Sequence, residues 1–414
     1  MNGILADHAE PGNRKFAGPP AISVRNLSKS LGQKPILSSV SFDIAEGELL
    51  VLLGPSGSGK TTLLRIMAGL DQPDAGEVYL KGDYANHLPP KDRMLGVVFQ
   101  DLALFPRMTV AQNIAYGLRI RSHSRKEREE RVSHLLSLVH LEEHRLKYPS
   151  QLSGGERQRV AVARALSYQA EAFLFDEPFS ALDPMTRTDL RRQMRGLLRS
   201  LGISSLFITH DQEEALEMGD RVAVLNQGRL EQIGTPFEIY NHPQSEFVAS
   251  FLGAATVLLG RWREGRVWIG ALRIKAPPDV PELYERQAVK IIFRPEDVVL
   301  GFQPQLLDAP YYLGSAIVED VFYVGSGERL GVRLILWPSQ STIAQTQKAN
   351  LAIVDDTVAE DFPLTITRSK WEANEMELST GDAVAVGLKD YRLLPHYPLG
   401  AETGAKLYEF KGAT

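Results

Sequence analysis

Apolar positions change their period twice along the chain. Over residues 21–50 they alternate with polar ones in short runs (Ile22, Val24, Leu27, then Val40, Phe42, Ile44), with turns at Gly32 and Gly47. That pattern predicts an antiparallel β lead-in. From Leu49 the runs become continuous, at residues 49–53, 97–99, 172–175, 205–208 and 222–225. Short unbroken apolar runs between helical stretches predict parallel strands covered on both faces. Helical spacing recurs at Leu63, Leu64, Met67 and Leu70, over residues 111–148, and at Val160, Ala163 and Leu166. The mixed-sign run 125–131 reads as the solvated face of a helix. Around Pro243 the pattern changes again. Residues 247–252 predict a short apolar helix, and strands dominate beyond Ala255, at 266–269, 289–293, 315–318, 331–336 and 383–388. The plan is a flexible tail (1–20), an α/β domain (21–240, with a helical subdomain about 103–160), a linker helix (241–254) and an all-β domain (255–414) of one or two small barrels.

Composition narrows this picture. With 414 residues, 43% hydrophobic and 23% charged, the chain suits two or three globular domains. The net charge of −5 arises wholly beyond residue 240, where 17 Lys/Arg face 22 Asp/Glu. A nucleic-acid binder would carry a basic surplus, so no nucleic-acid partner is expected. The absence of cysteine excludes disulfides and thiolate metal sites and fits a reducing compartment. No apolar run approaches the roughly 18–20 residues of a membrane span. Residues 1–20 are polar, with Pro11, Pro19 and Pro20, and lack the apolar core of a signal peptide. A cytosolic chain is expected unless a partner carries it to a membrane.

The chemistry starts at Gly54-Pro55-Ser56-Gly57-Ser58-Gly59-Lys60-Thr61-Thr62, between the apolar run 49–53 and the helical spacing from Leu63. Strand, glycine loop and helix in that order meet the context test for G-x-x-x-x-G-K-[ST]. Glycines let successive backbone N–H groups turn inward, and the helix N-terminus adds partial positive charge. Lys60 can reach outer phosphates and the Thr61 hydroxyl can ligate Mg²⁺, so the loop predicts nucleoside triphosphate binding.

Several apolar runs end on distinctive polar residues: Gln100 after Phe99, Asp176-Glu177 after Phe175, His210 after Thr209. Ligands of open α/β sheets lie beyond the carboxyl ends of the strands, so all four can face the same phosphates. Asp176 suits a Mg²⁺ carboxylate, Glu177 is free to polarise water, Gln100 can bond both, and His210 can reach the γ-phosphate. A second anion-receptive turn, Leu152-Ser153-Gly154-Gly155-Glu156-Arg157, precedes another helix. It is either a plain serine cap or a second phosphate loop, and in the latter case it serves a partner copy across a dimer.

In this order, GPSGSGKTT, Gln100, LSGGERQR, FLFDEP, SALD (residues 180–183) and His210 resemble the ATP-binding cassette (ABC) family of transport ATPases. The match covers about residues 21–240. The resemblance implies an α/β P-loop NTPase fold with ATP and Mg²⁺, Glu177 as general base and His210 as switch histidine. It also implies that Ser153, Gly154, Gly155 and Glu156 form the signature that meets the other subunit's γ-phosphate, and that Asp183 belongs to the D-loop linking the two sites. ALFPRMTV, THDQEEAL and QIGTPFEIYNHP look like the importer ATPases for sugars, sulfate, ferric iron and polyamines, and the tail with FRPEDV is similar to their transport-associated OB-like (TOBE) domain. The expected assembly is a homodimer on the cytoplasmic side of the inner membrane. Two integral-membrane permease subunits and, indirectly, a solute-binding protein complete it.

Leu31 departs from the group's usual aromatic residue, which stacks on adenine. A leucine keeps apolar contact without the ring, so weaker ATP binding is expected. The cargo is expected to be an inorganic ion, sulfate or ferric iron, with polyamine or sugar as alternatives. A soluble cassette ATPase and a ligand-sensing regulatory protein are the readings from other classes.

Overall fold

The structure is a computed structural model; it describes residues 19–120, 124–168, 170–180, 182–269, 272–325, 327–335, 351–352 and 361–396. Residues 1–18, most of the expected N-terminal tail, lie outside the described residues. The chain divides into two compact units after Asn241.

The alternating lead-in forms β1 (Ile22–Leu31) and β2 (Lys34–Ile44), paired antiparallel. Strand β3 (Leu49–Leu53) is buried at every position, as its unbroken apolar run requires. It leads into α1 (Lys60–Met67), after which β4 (Ala75–Leu80) and β5 (Asp83–Tyr84) return to the lead-in sheet, whose order is β2-β1-β4-β5. Strand β6 (Leu95–Val98) is followed by α2 (Val110–Ile120), α3 (Arg125–Leu138) and α4 (Gly154–Ser167). Then come β7 (Ala172–Asp176), α5 (Pro184–Leu201), β8 (Ser204–Thr209) and α6 (Gln212–Met218). Strands β9 (Arg221–Asn226) and β10 (Arg229–Gly234) and helix α7 (Pro236–Asn241) close the unit.

The central sheet runs β10-β9-β3-β8-β7-β6. Every neighbour from β9 to β6 is parallel, and β10 alone turns back antiparallel. One core joins both sheets to α1 through Ile22, Val24, Leu50, Leu52, Leu63 and Met67. Most of the charged run 125–131 is exposed on α3, which is capped at Ser124 by a reciprocal bond with Glu127.

The second unit opens with α8 (Glu246–Phe251), which occupies part of the expected linker span. The rest is all-β. One sheet orders the strands Leu272–Lys275, Arg266–Ile269, Thr256–Arg263, Ala288–Phe293 and Arg392–Pro395, all antiparallel, with Leu351–Ala352 added parallel to Thr256–Arg263. The other orders Val298–Gly301, Ala383–Leu388, Tyr311–Tyr323, Gly327–Ile335 and Asp361–Ser369. Leu258, Val267 and Ile291 of the first sheet and Leu313, Val332 and Val386 of the second belong to one core, as an OB-like domain requires.

Candidate functional site

Parallel register puts the chemistry at one edge. Leu53 pairs with Thr209, Asp176 with Ile208 and Val98 with Phe175, so the loops after β3, β6, β7 and β8 leave the sheet side by side. The loop after β3 is tight. Gly59, the residue before α1, has φ 105°, and a Cβ there would stand 2.8 Å from the Ile36 carbonyl oxygen. A Cβ on Gly54 would stand 2.2 Å from the Leu225 carbonyl oxygen. Lys60 is buried, and its Nζ donates to the carbonyls of Gly54 (2.8 Å) and Pro55 (3.0 Å). Burial holds the ammonium pKa below its usual range, opposed by the charges of Glu177 and Asp176. The Ser58 hydroxyl is buried without a hydrogen-bond partner among the described residues.

The Thr61 hydroxyl donates to Asp176 Oδ1 at 3.3 Å. Asp176 is 7% exposed, and burial pushes its pKa up. This all-oxygen pair fits a hard divalent cation, which would offset a desolvated carboxylate. Glu177 adopts φ 44°, the left-handed region, and its side chain meets the residue after β8: His210 Nδ1 lies 3.0 Å from Glu177 Oε1. Gln100 Nε2 donates to Ser180 Oγ (3.4 Å), whose hydroxyl donates to the Glu177 carbonyl (3.0 Å). Thus Thr61 bonds Asp176 within the electrostatic reach of Lys60, and Gln100, Ser180, Glu177 and His210 form a second bonded set.

The expected signature, Ser153 to Glu156, takes no part in these bonds. Ser153 caps α4, accepting from the Glu156 N–H at 3.3 Å, while Glu156 Oε2 accepts from the Ser153 N–H at 2.7 Å. That backbone bond is the main reason the Glu156 pKa lies below the usual carboxylate range. Its Oε1 lies 3.0 Å from His144 Nε2, so both carboxylate oxygens are engaged within the chain. Asp183 caps α5 through the Thr186 N–H (3.0 Å). The two regions pack together: a Cβ on Gly154 would stand 2.9 Å from Leu182 Cδ2. Leu31 ends β1 opposite Lys34 and is 61% exposed.

Sequence reasoning missed His144 and Arg187. The Arg187 guanidinium donates to the Leu182 carbonyl (3.0 Å) and to Asp211 Oδ2 (3.3 Å), tying the turn before Asp183 to the one after His210. Its position one turn into α5 is the one signal that could have marked it.

Known proteins resemble this chain over most of its length. Residues 37–180 match the family model described as ABC transporter. The sulfate/thiosulfate import ATP-binding protein CysA of Halalkalibacterium halodurans is 45% identical over 309 residues, spanning 74% of this chain and 85% of that protein. Its namesake in Nitrosomonas europaea is 46% identical over 380 residues, 91% of this chain and 98% of that protein. In Caulobacter vibrioides the figures are 51% over 259 residues, 62% and 76%. A solved dimeric ATP-binding cassette in a post-hydrolysis state with ADP and Pi is 33% identical, with a TM-score of 0.47, over 52% of this chain and 98% of that one. With the glycine loop, the Asp176–Glu177 strand end and His210 gathered at one sheet edge, and with relatives matched over most of their length, the chain belongs to the ABC transporter ATPases, among the import ATP-binding proteins.

Proposed function

We propose that this chain is the ATP-hydrolysing subunit of an importer for sulfate or thiosulfate. It works as a homodimer on the cytoplasmic side of the inner membrane, with two integral-membrane permease subunits and, through them, a solute-binding protein. The cargo rests on what the relatives are named for. No helix among the described residues is long and apolar enough to cross a membrane, so attachment to the membrane is assigned to the permease partners.

The observation that carries the reading is the Glu177–His210 pair at 3.0 Å, next to Lys60, Thr61 and Asp176. Lys60 exchanges the Gly54 and Pro55 carbonyls for outer phosphate oxygens, a stronger charge-assisted bond. Thr61 and Asp176 would hold Mg²⁺, which would supply neutralisation of the phosphate charge. Glu177 takes the proton of the water as the water oxygen bonds the γ-phosphorus and the bond to the β–γ bridging oxygen breaks to release ADP, and His210 orients that carboxylate through its Nδ1–H. Ser153, Gly154 and Gly155 of the second copy complete the donors around the transition state. The acidic, all-β second unit serves dimer support and regulation.

The test is Glu177→Gln, which keeps shape and removes the base. Turnover should fall by about 10²- to 10⁴-fold, and the variant should accumulate as a dimer in ATP on size-exclusion chromatography. Normal turnover would place the base elsewhere.

A further inference from the structure

The segment between β6 and α2 holds an irregularity that the ATPase chemistry leaves unexplained. Leu102 (φ 59°) and Ala103 (φ 44°) are consecutive residues in the left-handed region, and among the described residues no other two non-glycine neighbours are. Residues with a Cβ leave this region unless their surroundings hold them there.

The holder is on another element. Arg164, in the third turn of α4, donates from Nη1 to the Ala103 carbonyl at 2.6 Å and from Nη2 to the Leu102 carbonyl at 2.9 Å. Its guanidinium carbon also lies 5.6 Å from the centroid of the Phe105 ring. The planar arginine fork holds two adjacent carbonyls and a ring face in one fixed geometry, which the point-like ammonium of lysine matches less well. From the other side Asn113, fully buried on α2, accepts from the Phe105 N–H (2.9 Å) and donates to the Phe105 carbonyl (3.2 Å), and Tyr116 packs on the Phe105 ring. Burial lowers the Arg164 pKa, and the charge of Asp101 opposes the shift.

The two ends of this arrangement have different duties. Helix α4 starts at the Ser153 cap, about 16 Å along the axis from Arg164 at 1.5 Å per residue. The strained segment starts at Gln100, bonded through Ser180 to the Glu177 carbonyl. It ends on Leu104 and Phe105, both half-buried. We propose that Arg164 is a positioning residue: it makes α4 and segment 101–105 move as one body, so that engagement of the signature end is delivered both to Gln100 and to the Leu104–Phe105 surface. That permease partners exist to stimulate the ATPase rests on the function proposed above; the link from Arg164 to the segment does not.

Two measurements on the full-length chain test this, with Arg164→Met and Arg164→Lys. The first is limited trypsinolysis after Arg107, an exposed residue two positions past Phe105. Arg164→Met should be cut there about tenfold faster, with or without ATP, because cleavage follows the population of the open segment. Arg164→Lys should fall between Met and wild type, and cleavage in the second unit, after Lys275, should not change. The second is ATPase activity of the complex with its permease partners in liposomes. The partner-stimulated rate should fall about tenfold in Arg164→Met while KM for ATP stays within about twofold. Unchanged cleavage after Arg107 would overturn the proposal, and so would equal acceleration after Lys275, which would mean general loosening of the fold. A wild-type complex without partner stimulation would instead count against the importer reading, and the trypsin result would still decide the role of Arg164.

Discussion

Lys60, Thr61, Asp176 and Glu177 are legible in the sequence because each is pinned to a strand end by an apolar run and to its neighbours by spacing. Their partners are less so. That the Glu156 carboxylate bonds the Ser153 N–H follows from its place three residues after a serine cap, whereas its contact with His144 depends on how the short turns after α3 pack. The left-handed backbone of Glu177 has no residue-type signature at all. At Leu31 the sequence marks a departure and the structure gives it a setting, an exposed side chain at the tip of the β1–β2 hairpin. Base stacking is worth roughly 1–3 kcal/mol, so Leu31→Tyr should tighten ATP binding about tenfold in a titration with the Glu177→Gln background. No tightening would mean that another side chain contacts the base.

Among elements, the parallel strands were the most readable. Unbroken runs such as Leu49–Leu53 exclude a half-exposed strand, and all five residues are buried. Helix limits were blurred because α3 ends at Leu138 and a short 3₁₀ turn, Glu142–His144, falls within the apparent helical stretch to residue 148. The glycine loop belongs to this scale because it works only as a joint between strand and helix. Gly59→Ala would force a Cβ to within 2.8 Å of both the Ile36 carbonyl oxygen and Leu37 Cδ2 at φ 105°. It should therefore lower stability by about 1–3 kcal/mol, read as a lower denaturant midpoint, and weaken ATP binding by displacing Lys60. An alanine that left both unchanged would show that the loop has slack which the contacts with β2 deny.

For the molecule as a whole, the function proposed above makes each site a composite of two copies. Lys60→Ala disables the glycine loop and Ser153→Arg blocks the signature, so each variant alone should be inactive. Mixed in equal amounts, half of the dimers carry one site with both parts intact, and roughly a quarter of the wild-type ATPase rate should return. No recovery on mixing would mean that the two loops do not meet across a dimer. The second unit was legible as mostly β but not as two sheets on one core, because strand order depends on distant pairings such as Ala288–Phe293 with Arg392–Pro395 that alternation does not encode.

By itself the sequence determined the class of chemistry: a glycine loop, a carboxylate pair and a histidine, each set at the end of an apolar run. Local rules suffice there, since period and spacing act over a few residues. Only the tertiary structure decided which of those ends lie side by side, that His210 rather than a nearer residue meets Glu177, and that Arg164 holds Leu102 and Ala103. Those choices come from strand register and helix packing, which bring together residues tens of positions apart and leave no periodic trace in the chain.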